Sequence, residues 1–336
     1  MDRKVVVTGV AGLIGSHVAN ELLSLKLFKV IGIDDLSGGM EENLKPLIKK
    51  GMKFYKMDLR DTKKLKRILN SVETVYHLAA HAAEIKSLYN PIDDQSNNLG
   101  SFHSLMIACV YNQVRKVVFT SSMSVYGTQD QMPYTEEQEC HPEDFYGITK
   151  YAVEQSLPIY QKVYGINYTI VRCHNVYGPG QNIGDPYRNV LAIWANMILR
   201  GKKPLVYGDG EQLRSFTHVD DCKNFIIECG YKFNGETFNI GNEEPISIKK
   251  ACQLLCDAMG WEKGFEYAPR RPQEVKHAWS SSMKAVRTGY DWKVNFKAGI
   301  SDFCHWILEH KPMKPKYDKQ FEIEKNIPKQ WKEKMI

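Results

Sequence analysis

Through the first half of the chain, short apolar runs alternate with stretches whose apolar residues recur every three or four positions. Runs at 4–8, 29–34, 52–56, 73–77, 115–121 and 167–172 predict strands, and continuous runs such as Val5–Val7 suit a central parallel strand buried on both faces. Most of the intervening stretches have helical spacing, as in His17, Val18, Ala19, Leu22 and Leu23 after the first strand. Alternation of this kind implies an α/β fold with a doubly wound parallel (Rossmann) sheet covered by helices on both faces. The character changes near residue 175. Gly178–Pro186 is rich in breakers, Val190, Ile193, Trp194, Met197 and Ile198 form a helical stripe, and a further helix is predicted over 247–259. The pattern predicts a first domain over 1–174, to which the chain returns at about 215–242, and a smaller C-terminal α/β domain made mainly of 175–336.

Composition narrows the class without naming a chemistry. The chain has 336 residues, 43% hydrophobic and 25% charged, as in ordinary water-soluble globular proteins. No apolar stretch approaches the roughly 18 residues needed to span a bilayer, so no membrane partner is expected. The first strand begins within four residues, which leaves no room for a signal peptide and makes the cytoplasm the expected location. The eight cysteines include no Cys-x-x-Cys pair, so reduced thiols and no metal site are expected. Much of the net charge of +6 lies in residues 310–336, where eight lysines face four acids with few aromatics interleaved; nucleic acid is not an expected partner.

The candidate chemistry begins at Gly9, Gly12 and Gly15, between a predicted strand and a predicted helix. Glycines there permit positive φ, let backbone approach a pyrophosphate, and leave the helix N-terminus free to bind it. The second strand ends in Asp34, about 20 residues on, where a carboxylate accepts hydrogen bonds from a ribose and repels a 2′-phosphate. A dinucleotide, NAD rather than its phosphorylated form, is therefore expected. Asp58 and Leu59 follow the third strand, and Leu78, Ala79 and Ala80 end the fourth, where small residues let a cofactor lie against the strand end. Ser121, Ser122 and Ser124 put hydroxyls at the ligand-binding edge of a later strand. Tyr146 and Lys150 share one face of the next helix at i and i+4.

In this order the motifs resemble the extended short-chain dehydrogenase/reductases, and among them the NAD-dependent nucleotide-sugar epimerases and dehydratases. The resemblance runs from residue 4 to about 305. It rests on Thr8-Gly9-x-x-Gly12-x-x-Gly15, Asp58-Leu59, His77-Leu78-Ala79-Ala80, Asn97-x-x-Gly100, Ser121-Ser122-x-x-Val125-Tyr126-Gly127 and Tyr146-x-x-x-Lys150. Further on it includes Arg172-x-x-Asn175-x-Tyr177-Gly178-Pro179, Tyr207-Gly208-Asp209-Gly210-x-Gln212-x-Arg214-x-Phe216 and Asn239-Ile240-Gly241. It implies a catalytic set of Ser122, Tyr146 and Lys150. It implies cofactor contacts from Gly9, Gly12, Leu13, Ile14, Gly15, Asp34, Asp58, Leu59, Leu78, Ala79, Ala80, Asn97, Tyr146 and Lys150. A nucleotide-diphosphate sugar would meet Ser122, Ser124, Asn175, Arg214 and Arg271; His81 is a candidate for contact with the sugar, and His174 is either a packed core histidine or a second such contact. Arg271-Pro272-Gln273-Glu274 resembles the family's Arg-x-Gly-Asp segment with both final residues altered.

Tyr146 would take a proton from a sugar hydroxyl while hydride leaves for the nicotinamide. Lowering an ordinary phenol from about 10 to 7 requires roughly 4 kcal/mol of preference for phenolate. One cation at about 5 Å contributes on the order of 3 kcal/mol at an effective dielectric of 20, so Lys150 and the positive nicotinamide are expected to suffice. Met123-Ser124 stands where dehydratases of the family carry Asp-Glu, which disfavours dehydration. Asp144 and Arg172-x-His174-Asn175 are similar to the GDP-mannose 3,5-epimerases, but Ser124 replaces their cysteine. C4 epimerisation of a UDP-sugar through a transient 4-keto intermediate is the leading expectation. A nucleotide-sugar 4-dehydrogenase or ketoreductase, a GDP-sugar epimerase, and a non-catalytic NAD-sensing regulator are the alternatives. The resemblance also implies a homodimer, joined by a four-helix bundle of residues 94–113 and 146–164.

Overall fold

The computed structural model describes residues 3–271 and 275–336. Seven parallel strands form the main sheet: β1 (Arg3–Thr8), β2 (Phe28–Asp34), β3 (Lys53–Lys56), β4 (Thr74–His77), β5 (Lys116–Ser122), β6 (Asn167–Cys173) and β7 (Glu236–Ile240). Their order is β7-β6-β5-β4-β1-β2-β3. It reverses at β1, so the chain winds outward in both directions and leaves a crevice beyond the strands' C-terminal ends. The six strands expected from hydrophobic runs are present with shifts of one residue at most. β7 has the short alternating sequence Glu-Thr-Phe-Asn-Ile, too brief to stand out as a run; pairing with β6 from Glu236↔Thr169 to Ile240↔Cys173 makes it a strand.

Alternation along β1 shows how the layers form. Val5 and Val7 face one core with Val18, Ala19 and Leu22 of α1 (Leu13–Ser24). Val6 faces the opposite core with Leu105 of α4 (Ser101–Tyr111) and Val153 and Leu157 of α5 (Phe145–Tyr164). Between α1 and α4 the chain adds α2 (Glu41–Lys49) and α3 (Thr62–Ile68). The central strands bury both faces, whereas the edge strand β3 has no fully buried residue, and each fully buried Val or Leu side chain contributes about 1.5–3 kcal/mol.

Helix α5 is fixed at both ends. Asp144 accepts a hydrogen bond from the Gly147 N–H at 2.7 Å, and Gly165, at φ 73°, ends the helix in the left-handed region. A third core joins α6 (Val190–Leu199), α8 (Ile248–Ala258) and α9 (Phe296–Leu308) through Trp194, Cys252, Leu255 and Phe303. Helix α7 (Val219–Glu228) packs instead on α1, at the main sheet. The eight cysteines are all unpaired. Among the described residues no three metal-ligating side chains cluster, and no helix is long and apolar enough to cross a membrane.

Candidate active site

The C-terminal ends of β1, β2, β4 and β5 open into one cleft of about 930 Å³. Its first wall is the turn from β1 into α1. Gly9 has φ 67°, and a Cβ there would stand 2.7 Å from Ala79 Cα; a Cβ on Gly15 would stand 2.1 Å from the Gly9 carbonyl oxygen. Side chains are excluded because the turn is pressed against its own helix and against the end of β4. Gly12 is the N-cap of α1 and brings no side chain to the helix's first N–H groups, and no acid lies in the first turn. The result is an uncapped helix N-terminus facing a cleft, which suits a diphosphate.

Asp34 is 9% exposed and braces this turn: its carboxylate accepts from the Ala11 N–H at 2.9 Å and the Leu36 N–H at 2.8 Å. Burial raises its pKa, against the pull of those two backbone donors. Asp58, held low by its hydrogen bonds with Arg60, lines the same end with Leu59. Leu13, Ile14, Leu78, Ala79, Ala80 and Asn97 also line the cleft. Asn97 is turned into it from a π-helical step at Ser96–Gly100, while its side-chain amide donates to the Asp93 carbonyl and carboxylate.

At the far end Ser122, Tyr146 and Lys150 converge. Ser122 ends β5, where its hydroxyl accepts from the Ser124 N–H at 3.2 Å, and it also hydrogen-bonds Tyr146. The Lys150 ammonium donates to the Thr120 carbonyl at 2.9 Å and lies 5.7 Å from the centre of the Tyr146 ring. Burial lowers the Lys150 pKa to about 8. Burial pushes the Tyr146 phenol well above its ordinary value; the Glu84, Asp144 and Asp94 carboxylates reinforce this, and the Ser122 hydrogen bond opposes it. The sequence-based arithmetic set Lys150 and the positive nicotinamide against an ordinary phenol; desolvation is a further cost that the two together have to offset. Without further positive charge beside it, the phenol stays neutral.

A second cavity of about 230 Å³ adjoins this end and is lined by Ser124, Asp144, Asn175, Tyr207, Arg214 and Arg271 among others. Arg271 lies over the Tyr207 ring at 4.3 Å, and Arg214 donates to the carbonyls of Leu213 and Lys276. Asn175 donates to the Ser215 carbonyl at 2.8 Å. Pro272, Gln273 and Glu274, the altered half of the Arg-x-Gly-Asp-like segment, lie outside the described residues. His81 lines the main cleft, held between Asp93 at 3.2 Å and Ser37 at 3.4 Å.

His174 is the packed core histidine and not the sugar contact. It has no exposed surface, lines neither cavity, and pairs with the Ser280 hydroxyl behind β6, with Gly241 packed against its ring. Burial lowers its pKa to about 3, so it is a neutral core residue and does not reach the sugar. Three groups that the sequence reading did not single out line the cleft: Lys86, Arg188 and the segment Asp318–Gln320. No local pattern marks them: Lys86 lies in a single helical turn, Glu84–Ser87, Arg188 in a loop, and Asp318–Gln320 outside the motif-bearing part of the chain.

The family model described as the NAD dependent epimerase/dehydratase family matches residues 5–241. A UDP-glucose 4-epimerase from Halalkalibacterium halodurans is 30% identical over 327 residues, covering 91% of this chain and 96% of its own. Among solved structures, the UDP-glucose 4-epimerase of Thermotoga maritima with UDP-glucose aligns with a TM-score of 0.85 at 32% identity, covering 91% of this chain and 99% of that one. The UDP-glucuronic acid 4-epimerase of Bacillus cereus, in complex with UDP-glucuronic acid and NAD, aligns with a TM-score of 0.84 at 30% identity over the same shares.

Proposed function

The chain belongs to the NAD-dependent epimerase/dehydratase family, and from that premise we propose that it is a UDP-sugar 4-epimerase working through a transient 4-keto sugar. The observation that carries this reading is the meeting of Ser122, Tyr146 and Lys150 at one end of a cleft whose other end is the glycine turn. NAD, held by the glycine turn and Asp34, would supply the hydride acceptor and donor for C4. The chain fits that cofactor: the tightly packed glycine turn, with no room for a Cβ at Gly9 or Gly15, presents an uncapped helix N-terminus to a diphosphate, and Asp34 stands at the end of β2 for the adenosine ribose.

Tyr146 is the residue placed to take the C4 hydroxyl proton, with Ser122 hydrogen-bonded to the same oxygen as charge develops on it. The bonded Ser122–Tyr146 pair supports that assignment, since a sugar oxygen replacing either partner meets the other. Lys150 adds positive charge beneath the phenol and fixes the helix turn through Thr120. Asn175, Arg214 and Arg271 are the groups proposed to hold the substrate diphosphate, and guanidinium forks suit it. Met123 and Ser124 offer no carboxyl group for elimination of water, which favours epimerisation over dehydration.

We read residues 1–174, with the return at 215–242, as the cofactor domain and 175–336 as mainly the substrate domain. A homodimer is part of this reading. Ile107 and Tyr111 on α4, and Ile148, Ile159 and Val163 on α5, are exposed apolar side chains on the helices proposed to pair.

Tyr146→Phe tests the reaction. It keeps the ring and removes the proton acceptor, so 4-epimerisation of UDP-glucose should fall by about a thousandfold or more with NAD still bound. Turnover within tenfold of the unaltered enzyme would sink the mechanism. Net NADH release in step with product would convert the reading to a 4-dehydrogenase.

A further inference from the structure

Residues 311–336 lie beyond the stretch over which the family motifs are matched. Relatives matched along 96–99% of their own lengths cover 91% of this chain. This lysine-rich segment reads from composition as a solvated tail, yet it crosses the cleft and returns. Met313 first exchanges two hydrogen bonds with Asn196 of α6, both 2.9 Å, and the Lys316 N–H donates to the Gly184 carbonyl. The chain then passes over the cleft, where Asp318, Lys319 and Gln320 form part of its lining.

On the far side it grips the segment 84–95, which holds two short helices, Glu84–Ser87 and Pro91–Gln95. Asp318 pairs with Lys86 at 2.9 Å, and the Glu322 carboxylate accepts from the Ile92 and Asp93 N–H groups at 2.8 and 2.9 Å. Asn90 accepts from the Glu322 N–H, and Tyr89 donates to the Asn326 carbonyl at 2.8 Å. The return run buries Trp331 against Tyr89 and Tyr187, ring centres 6.0 and 4.9 Å away, and places Trp331 and Ile336 on the wall of the second cavity. A disordered tail would not bury a tryptophan to 4% exposure or satisfy helix-end N–H groups on the opposite side of a cleft.

We propose that residues 313–336 are a strap that closes the sugar-nucleotide end of the cleft, positions the substrate and retains the keto sugar between its two hydride transfers. The inference rests on the epimerase reading for the keto sugar but not for nucleotide binding. Stretch 84–95 belongs with the catalytic helix side, since Ser87 accepts from the Tyr146 N–H at 3.1 Å. Tethering it to α6 sets the width of the cleft where Tyr146 works. A keto sugar that turns over must break its contacts while remaining enclosed. An opening on this side releases it and leaves the cofactor reduced.

Two variants test the strap: the chain ended after Pro312, and full-length chain carrying Asp318→Asn with Glu322→Gln, which cuts the polar crossing and leaves the aromatic cluster in place. Each is assayed for bound cofactor, UDP affinity by calorimetry, KM and kcat with UDP-glucose, and 4-keto sugar in solution after borodeuteride reduction. The expected result is unchanged cofactor content, UDP affinity and KM worse by about tenfold in the shortened chain and several-fold in the double variant, and free keto sugar with NADH left on the enzyme. If the shortened chain does not fold, the double variant decides alone. A folded variant with UDP affinity, KM and keto release all within twofold of the unaltered chain overturns the strap. UDP binding weakened by both variants, with no epimerisation by the full chain, supports the strap and removes the epimerase reading. A full chain that binds no UDP removes both.

Discussion

Replacing Glu154 by Gln should destabilise the protein far more than the loss of one hydrogen bond. Glu154 lies one turn beyond Lys150 on α5, and its carboxylate receives the Arg172 Nε at 3.0 Å and Nη2 at 2.6 Å from β6. The remaining guanidinium nitrogen, Nη1, donates to the Tyr126 hydroxyl at 2.7 Å, which donates in turn to Asn239 at 2.8 Å. The two charged side chains are 6% and 3% exposed, so neither is served by water. Two unit charges about 4 Å apart attract by roughly 4 kcal/mol at an effective dielectric of 20. Glutamine removes that attraction and points an amide N–H at a guanidinium N–H, leaving a buried charge without a counter-ion; such losses cost about 3–5 kcal/mol. The double replacement Glu154→Leu with Arg172→Met removes both charges and should cost about 1 kcal/mol or less, because the desolvation penalty disappears with them. Urea unfolding of the unaltered chain, Glu154→Leu, Arg172→Met and the double variant, at one fixed NAD concentration, measures the coupling, and Glu154→Gln is unfolded beside them. A cost below about 1 kcal/mol for Glu154→Gln, or a double variant as unstable as the single one, refutes the argument.

Gly15→Ala should abolish cofactor binding, because its Cβ would stand 2.1 Å from the Gly9 carbonyl oxygen and the turn has to open to admit it; cofactor content of the purified protein checks this. Burial, followed by the Glu84 charge, raises the Asp144 pKa from 3.8 to about 7. The folded state therefore holds this proton more tightly than the unfolded chain, and the group's relative destabilisation grows as pH rises from about 4 to 7 and is constant above. Asp144→Asn, which keeps a helix cap, should raise the unfolding midpoint at pH 8 and leave it nearly unchanged near pH 4. The ceiling is about 4 kcal/mol, from about three pKa units at 1.36 kcal/mol each; equal shifts at the two pH values would contradict it. Ile159→Glu, on the exposed face of α5, should turn a dimeric mass in light scattering into a monomeric one, and a monomer for the unaltered protein removes the dimer reading.

How much of this was legible in the chain follows the range of the interactions. The first strand, the glycine turn, Asp34, and Tyr146 four residues before Lys150 are local patterns, set by sterics at φ and by helical or strand period, and the sequence by itself determined them. Residue order also fixed the family, because its motifs are short and occur in sequence. Tertiary structure decided what depends on residues far apart. Only pairing with β6 makes 236–240 a strand, and only burial behind β6 removes His174 from the sugar and leaves it neutral at a pKa of about 3. The Tyr146 phenol follows the same rule: a pairwise estimate with Lys150 lowers it, whereas desolvation and three carboxylates raise it. Residues 311–336 are the extreme case. Their lysines predict a solvated tail, and the fold instead lays them across a cleft, because Glu322, Asp318 and Trp331 find unsatisfied N–H groups, a lysine and an aromatic pocket far back along the chain, at residues 86–93 and at Tyr187. Composition sums over neighbours in sequence, while desolvation and hydrogen-bond satisfaction are settled by neighbours in space.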